Sequence, residues 1–380
     1  MPDAVLAALP AARRPARADW SPDGGRTWIP ARVGAAQISP DRTAECRYSG
    51  SADLLDVPVG GRDGINTVVT QVRLFQGIQG PRMDTPYWVP AGRYVVDGVS
   101  RTRLGAQVAL LGLEDVIRTA GFPAARTIGP GIARTIVPEL IAEALPSAVV
   151  GWRAGVDPGA DVPRFVVDAD RWAALSTGTD TTGVGTGIAS ALGGEIYADA
   201  TGAIAIGPVP TLADPVVWQI PYGKAVVETA ETQSAEGLVN LWVVSGDGGD
   251  GTPVVGPVHV WDDDPNSLTY AGPDPVDDPL APQRLGLTGV RVRVGRHTSP
   301  LITTTAQADT VGRALLADSL GIQASLSFTT LCNPALEPGD VVEVEVEPDR
   351  WERHIIDSCP YTLGSAAMSC TTRTTARRLL

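Results

Sequence analysis

The chain has 380 residues, 43% of them apolar and 19% charged, which allows two or three domains with their own cores and excludes a disordered polymer. Its net charge of −13 repels phosphate backbones and disfavours a specific nucleic-acid binder. No run approaches the ~18 apolar residues of a membrane-spanning helix, and Met1 to Pro15 carries Arg13 and Arg14 after its apolar part, the reverse of a secretory signal. The expectation is a soluble protein folded in a cytoplasm, with residues 1–17 as an N-terminal arm.

The 42 glycines and 32 prolines are scattered between short apolar runs, which favours many short strands over long helices. From Ala18 to about Ile117 the pattern is β. Asp23-Gly24-Gly25 is a hairpin turn flanked by Trp20 and Trp28, and further strands are predicted at Thr67 to Phe75, Gly92 to Arg101 and Gln107 to Leu111. A short helix from Glu114 to Ala120 closes this unit, its acidic start suited to the helix dipole. Residues 121–220 form a small α+β unit, with helices predicted at Ile132 to Leu145, Asp168 to Leu175 and Thr186 to Leu192, and a hairpin over Glu195 to Ile206.

Residues 221–380 return to β. Gly237 to Val244 is apolar on both faces, as in a strand buried on both sides. A proline-rich acidic excursion, 246–283, follows, with Asp262-Asp263-Asp264 and Asp274, Asp277 and Asp278. Gly289 to Val294 alternates Val with Arg, and Val341 to Glu347 alternates Val with Glu, so the two are predicted to pair or lie in one sheet. Between them Thr304 and Gln307 are spaced as a capping box, and Ala308, Val311, Leu315, Leu316 and Leu320 make one apolar stripe with Gly321 as the stop. Pro338-Gly339 then has the residues of a type II turn.

No candidate catalytic, cofactor or metal site emerges. Cys46, Cys332, Cys359 and Cys370 lack a CxxC pair and read as buried small hydrophobes. His259, His297 and His354 have no nucleophile or carboxylate at triad-like spacing. Gly183 to Gly187 follows a polar stretch instead of a strand, so it is a linker and not a dinucleotide loop. Asp262 to Asp264 lacks the glycine and glutamate of an EF-hand and reads as a solvated loop. Lys224 is the only lysine among 30 basic residues, which reports a GC-rich coding sequence.

Over Ser299 to Thr374 the chain resembles the tail hub (minor tail, baseplate-hub-like) proteins of tailed phages and prophages of GC-rich actinobacteria. The residues carrying this are the capped helix, then Asn333-Pro334 through Leu336 to Pro338-Gly339-Asp340-Val341-Val342, then His354 to Asp357, and finally Leu363 to Thr374. Gly237 to Asn240, Gly92 to Val96 and Gly112 to Asp115 add weaker matches. The resemblance implies a mainly β (α+β overall) fold, with two tube-like β-barrel domains at 18–120 and 221–380 and a small α+β domain, 121–220, between them. It further implies a non-enzymatic homotrimer at the virion tail tip, made in the host cytoplasm, without cofactors. Its partners would be the distal tail or tail tube protein, the tape measure protein and the fibre or spike proteins. Genome DNA would pass without specific binding through a lumen around which three chains at −13 place about −39. The alternative reading is a β-rich carbohydrate-binding module or hydrolase acting on the host envelope, although aromatics at 5% are thin for a sugar-stacking cleft.

Overall fold

The computed structural model describes residues 1–176, 187–223, 228–234, 238–247, 253–267, 269–280, 292–319 and 323–375. After a short N-terminal helix, α1 (Asp3–Ala8), six strands build the first unit: β1 (Ala16–Ser21), β2 (Ile29–Pro40), β3 (Tyr48–Leu55), β4 (Gln71–Ile78), β5 (Tyr87–Arg101) and β6 (Gly105–Gly112). Their order is β1-β4-β5-β6-β3-β2, and β2 returns to pair with β1, so the sheet closes into a barrel without free edges. The first hairpin is set by Asp23, whose carboxylate accepts from the Arg26 and Thr27 amides and the Thr27 hydroxyl. This brings Trp20 opposite Ile29, while Trp28 stands just before β2.

Alternation fills the barrel. Ala18 and Trp20, Val72 and Leu74, Ala52 and Leu54, and Val108 and Leu110 are buried in one cluster, each larger aliphatic side chain stabilising by about 1.5–3 kcal/mol. Helix α2 (Glu114–Thr119) leads out of the barrel into an α+β layer of α3 (Ala133–Ala144), α4 (Arg171–Leu175), α5 (Ile188–Ala191) and seven short strands. These are β7 (Arg126–Ile128), β8 (Gly131–Ile132), β9 (Val150–Trp152), β10 (Asp161–Val162), β11 (Phe165–Val167), β12 (Gly194–Ala198) and β13 (Ile204–Pro208). Their apolar residues form a second cluster centred on Ile141, Leu175, Ile188 and Ile204.

The rest of the chain makes two sheets from β14 (Val216–Ile220), β15 (Glu228–Ser234), β16 (Leu241–Asp247), β17 (Pro253–Trp261), β18 (Val294–Ser299), β19 (Gln323–Leu331), β20 (Val341–Glu347), β21 (Arg350–Ser358) and β23 (Ala367–Thr375), while β22 (Tyr361–Thr362) joins the sheet of the barrel. The larger, six-stranded sheet runs β14-β20-β21-β23-β19-β15, and the smaller runs β17-β16-β18. Helix α6 (Thr305–Ser319) lies between β18 and β19 in the chain. The six-stranded sheet turns Val342, Val344, Ile356 and Cys370 into the same apolar cluster that fills the barrel, joined by Cys359 just beyond β21. The join is also hydrogen-bonded, because β22 pairs with Gln37 and Ile38 of β2 and the Gly364 amide donates to Gln76 Oε1 at 2.8 Å.

Several expectations are met in detail. In the capping box the Gln307 amide donates to Thr304 Oγ1 at 3.2 Å and the Thr304 amide to Gln307 Oε1 at 3.1 Å. Gly339 takes φ +97° and the Asp340 amide donates to the Glu337 carbonyl, closing the turn into β20. Val342 and Val344 are fully buried, with Val346 packed against the same cluster. All four cysteines are free and buried.

Others are corrected. Of the Arg–Val segment, Val292 and Arg293 lie ahead of any strand and Val294 opens β18, which pairs in parallel with β16, whereas β20 of the Glu segment pairs with β14 and β21. Glu343 finds its opposite charge one hairpin away, in Arg353 on β21 at 3.2 Å, a partner reached with far less loop-closure entropy than one fifty residues upstream. Gly289, Val290 and Arg291 are outside the described residues, as are Gly237, Leu320, Gly321 and Gly183 to Thr186. The capped helix packs Ala308 and Val311 against Val244 and Val255 of the small sheet and against Ile302. The 246–283 excursion contains a strand, β17, and Val216 to Ile220, expected in the α+β stretch, instead joins β20.

Candidate functional site

The three parts of the fold meet at a buried ionic junction. The β2–β3 loop, held by the Arg42 amide donating to the Asp357 carbonyl and by the Asp41–Ser358 bridge, projects two arginines inward. Arg42 Nε lies 2.9 Å from Glu195 Oε2, and its Nη1 lies 3.3 Å from Asp318 at the end of α6. Arg47 Nη2 reaches the other Glu195 oxygen at 2.5 Å, its Nη1 donates to the Pro338 carbonyl, and its guanidinium stacks 3.4 Å from the centre of the Tyr197 ring. Glu195 and Tyr197 both belong to β12, on one face because they are two residues apart. Arg373 of β23 continues the chain of charges, with Nη1 2.8 Å from Asp318 and Nε 3.0 Å from Asp357. Barrel, α+β layer, six-stranded sheet and α6 are therefore pinned by one network.

Carboxylates outnumber cations here, and burial raises the proton affinity of Glu114, Asp357, Asp340 and Glu337. Glu114, which accepts from the Arg47 amide through Oε1 and has Oε2 buried without a partner, is pushed up to about 7 by burial. Asp357 is likewise pushed up to about 7, and Asp340 to about 6. Glu337 also moves up, again through burial, with Asp199 adding like-charge repulsion. Beside the junction lies a cleft of about 440 Å³ between Arg42, Glu195, Asp318 and Arg373 on its polar side and Val209, Val311 and Leu315 on its apolar side.

This arrangement clamps; it carries no arrangement of a reacting pair. His354 donates or accepts through Nδ1 with Thr372 Oγ1 at 3.0 Å in the core of the six-stranded sheet, and burial holds His297 below its ordinary value. His259 sits in β17 opposite Val243. Asp262 is turned inward onto the hydroxyls of Ser267 at 2.5 Å and Thr269 at 2.7 Å. Among the described residues no group of three or more His, Cys, Asp or Glu side chains could hold a metal ion. Sequence reading missed the junction entirely. Its only trace is two arginines in the otherwise tightly turned Asp41 to Arg47 loop, and nothing in the sequence says that they are buried.

No protein-family model matches the chain, and no curated protein matches it in sequence. Solved structures do match in shape. A tail protein from Neisseria meningitidis superposes with a TM-score of 0.58 at 10% identity, over 94% of this chain and 96% of that one. Prophage tail protein gp18 from Listeria monocytogenes superposes with a TM-score of 0.55 at 11% identity, over 94% of each chain. The chain has the fold of these tail proteins. The likeness spans the barrel, the α+β layer and the six-stranded sheet together, since so little of either chain is left out.

Proposed function

We propose that the chain is a structural hub protein of a phage or prophage tail tip, with a GC-rich actinobacterial host. The observation that carries this reading is a fold shared with two tail proteins over 94% of the chain. In this reading the barrel at 18–120 and the six-stranded unit, which adds β14 (Val216–Ile220) to strands from 221–380, are the two tube-like domains, with the rest of 121–220 between them. Three protomers then offer six similar units, enough for a threefold ring to meet a sixfold tube. The ring joins the tail tube or distal tail ring to the fibre or spike complex and abuts the tape measure protein. It lines the channel through which DNA leaves, at the tip of a virion assembled in the host cytoplasm. The junction of Arg42, Arg47 and Glu195 supports a mechanical role, because it ties the units of one protomer into a single body. No chemistry is assigned to it.

The test is the full-length chain in solution and on its partners. Light scattering should give a mass near three times 39.6 kDa, and electron cryomicroscopy of the chain mixed with its distal tail protein should show a closed ring. A monomer that binds or hydrolyses envelope polysaccharide would transfer the assignment to the carbohydrate-directed alternative.

A further inference from the structure

We propose that the outer face of β1 and β4 is the seat for the acidic stretch after β17 of a second copy of this chain. The inference rests on the self-assembling ring proposed above and names two surfaces that would close it.

Because Ala18, Trp20, Val72 and Leu74 fill the barrel, the alternate residues Arg17, Asp19, Arg73 and Phe75 face outward. Their register places Arg17 across from Phe75, Asp19 across from Arg73, and Arg73 across from Arg93 of β5. The guanidinium of Arg73 lies 4.4 Å from the Trp28 ring centre, that of Arg93 5.3 Å from the same ring, and that of Arg17 5.3 Å from Phe75. One carboxylate, Asp19, serves both Arg17 at 2.9 Å and Arg73 at 2.8 Å, while Arg93 donates to the neutral Gln71 Oε1. Three cations on two aromatic rings therefore meet one buried anion. Burial and then the like charge of Arg73 lower the proton affinity of Arg93, as expected of a face with a surplus of positive charge. Arg26 stands exposed at its margin, in the β1–β2 hairpin.

In a chain of net charge −13, this surplus is local: five arginines and two aspartates lie between Arg13 and Arg32. The opposite bias lies between residues 262 and 280, with six aspartates and no basic residue. There Asp263, Asp264, Asp274 and Asp277 are exposed, as are the apolar Val276 at 45% and Leu280 at 55%. The inward anchor of Asp262 and the bond from the Asp277 amide to Asp274 Oδ1 hold the backbone in shape before any contact. The arginine face thus offers positive charge over the half-buried Trp28 and Phe75, and the acidic stretch offers negative charge beside the exposed Val276 and Leu280. Among the described residues no ion pair joins the two surfaces within one copy. Since they are different patches, contact between copies is head-to-tail, the class that closes into rings.

Charge reversal tests this on the full chain, with circular dichroism as the check on folding. Arg17→Glu with Arg26→Glu, and separately Asp263→Arg with Asp277→Arg, should each weaken self-association at least about tenfold in sedimentation equilibrium at low salt. Arg26→Glu alone should weaken it in the same direction, and the chain with all four reversals should recover it. Variants that associate like the parent, or a folded four-fold variant that does not recover, overturn this interface and leave the ring reading standing. A parent chain that is monomeric at every concentration overturns both. Retardation of duplex DNA by the parent, abolished by Arg26→Glu, would make this face a phosphate contact and also overturn the proposal.

Discussion

Glu195 is the single carboxylate shared by Arg42 and Arg47, side chains only 9% and 7% exposed. A buried ion pair adds little net stability over apolar packing, but removing one partner strands the other charge. Glu195→Ala removes the partner that two arginines share. Arg42 retains Asp318 at 3.3 Å, and Arg47 retains the Pro338 carbonyl and the Tyr197 ring. The expected loss is about 3–5 kcal/mol, read as a lower midpoint in urea unfolding. Arg47→Met should be milder, because Glu195 keeps Arg42 and the methionine keeps contact with the Tyr197 ring. If Arg47→Met were the more damaging change, the clamp would depend on the Pro338 and Tyr197 contacts and not on the shared carboxylate.

At the level of elements, α6 is a helix legible in the sequence whose floor is not. Its capping box and its buried Ala308, Val311 and Leu316 are as the spacing requires. The choice of floor is made by Gly312, where an added Cβ would lie 2.6 Å from Val260 Cγ2 and 3.3 Å from Val244 Cγ2. Only a glycine lets the helix approach the small sheet this closely. Gly312→Val should destabilise by about 1–3 kcal/mol through overpacking, and protection of the β16 and β17 amides from hydrogen exchange should fall first. The same contrast explains what the sequence could and could not reveal. Period-2 alternation and turn chemistry are local, so the Asp23 hairpin, the turn at Pro338-Gly339 and the inward Val342 and Val344 were readable. Which sheet receives a strand is a long-range choice, and Arg-Val alternation near β18 looks the same whether Glu343 or Val243 is its neighbour. The junction was illegible for a related reason: Arg42, Glu195, Asp318 and Arg373 lie far apart in sequence, and only the packing of three units makes them a cluster.

Across the whole molecule, the junction makes cohesion depend on pH. Burial lifts Glu114 from 4.5 to about 7, Asp357 from 3.8 to about 7, and Asp340 from 3.8 to about 6. A carboxyl whose folded value exceeds its unfolded one binds its proton more tightly in the native state. Its stabilising contribution is full below the unfolded value and is lost as pH rises through the folded one. Glu143 and Glu352 act oppositely: arginine and histidine partners hold them below 4.5, so their contribution is present above that value and fades in acid. Stability should therefore peak at about pH 4.5, drop in stronger acid, decline from there to about pH 7 as the raised carboxyls lose their protons, and level off above it, with Tm falling by several degrees over that interval. The decline belongs to the junction and not to the surface, so Glu114→Gln with Asp357→Asn should flatten the alkaline limb and leave the acid limb in place. Because the groups responsible bridge the barrel, the α+β layer and the six-stranded sheet, the early loss should appear as loosening between units. Proteolysis at pH 8 should then cut the β2–β3 loop and the connections flanking β14 before either barrel or sheet opens. A uniform loss of protection across all strands would instead mean that the units melt together and that the junction does not set the order of events.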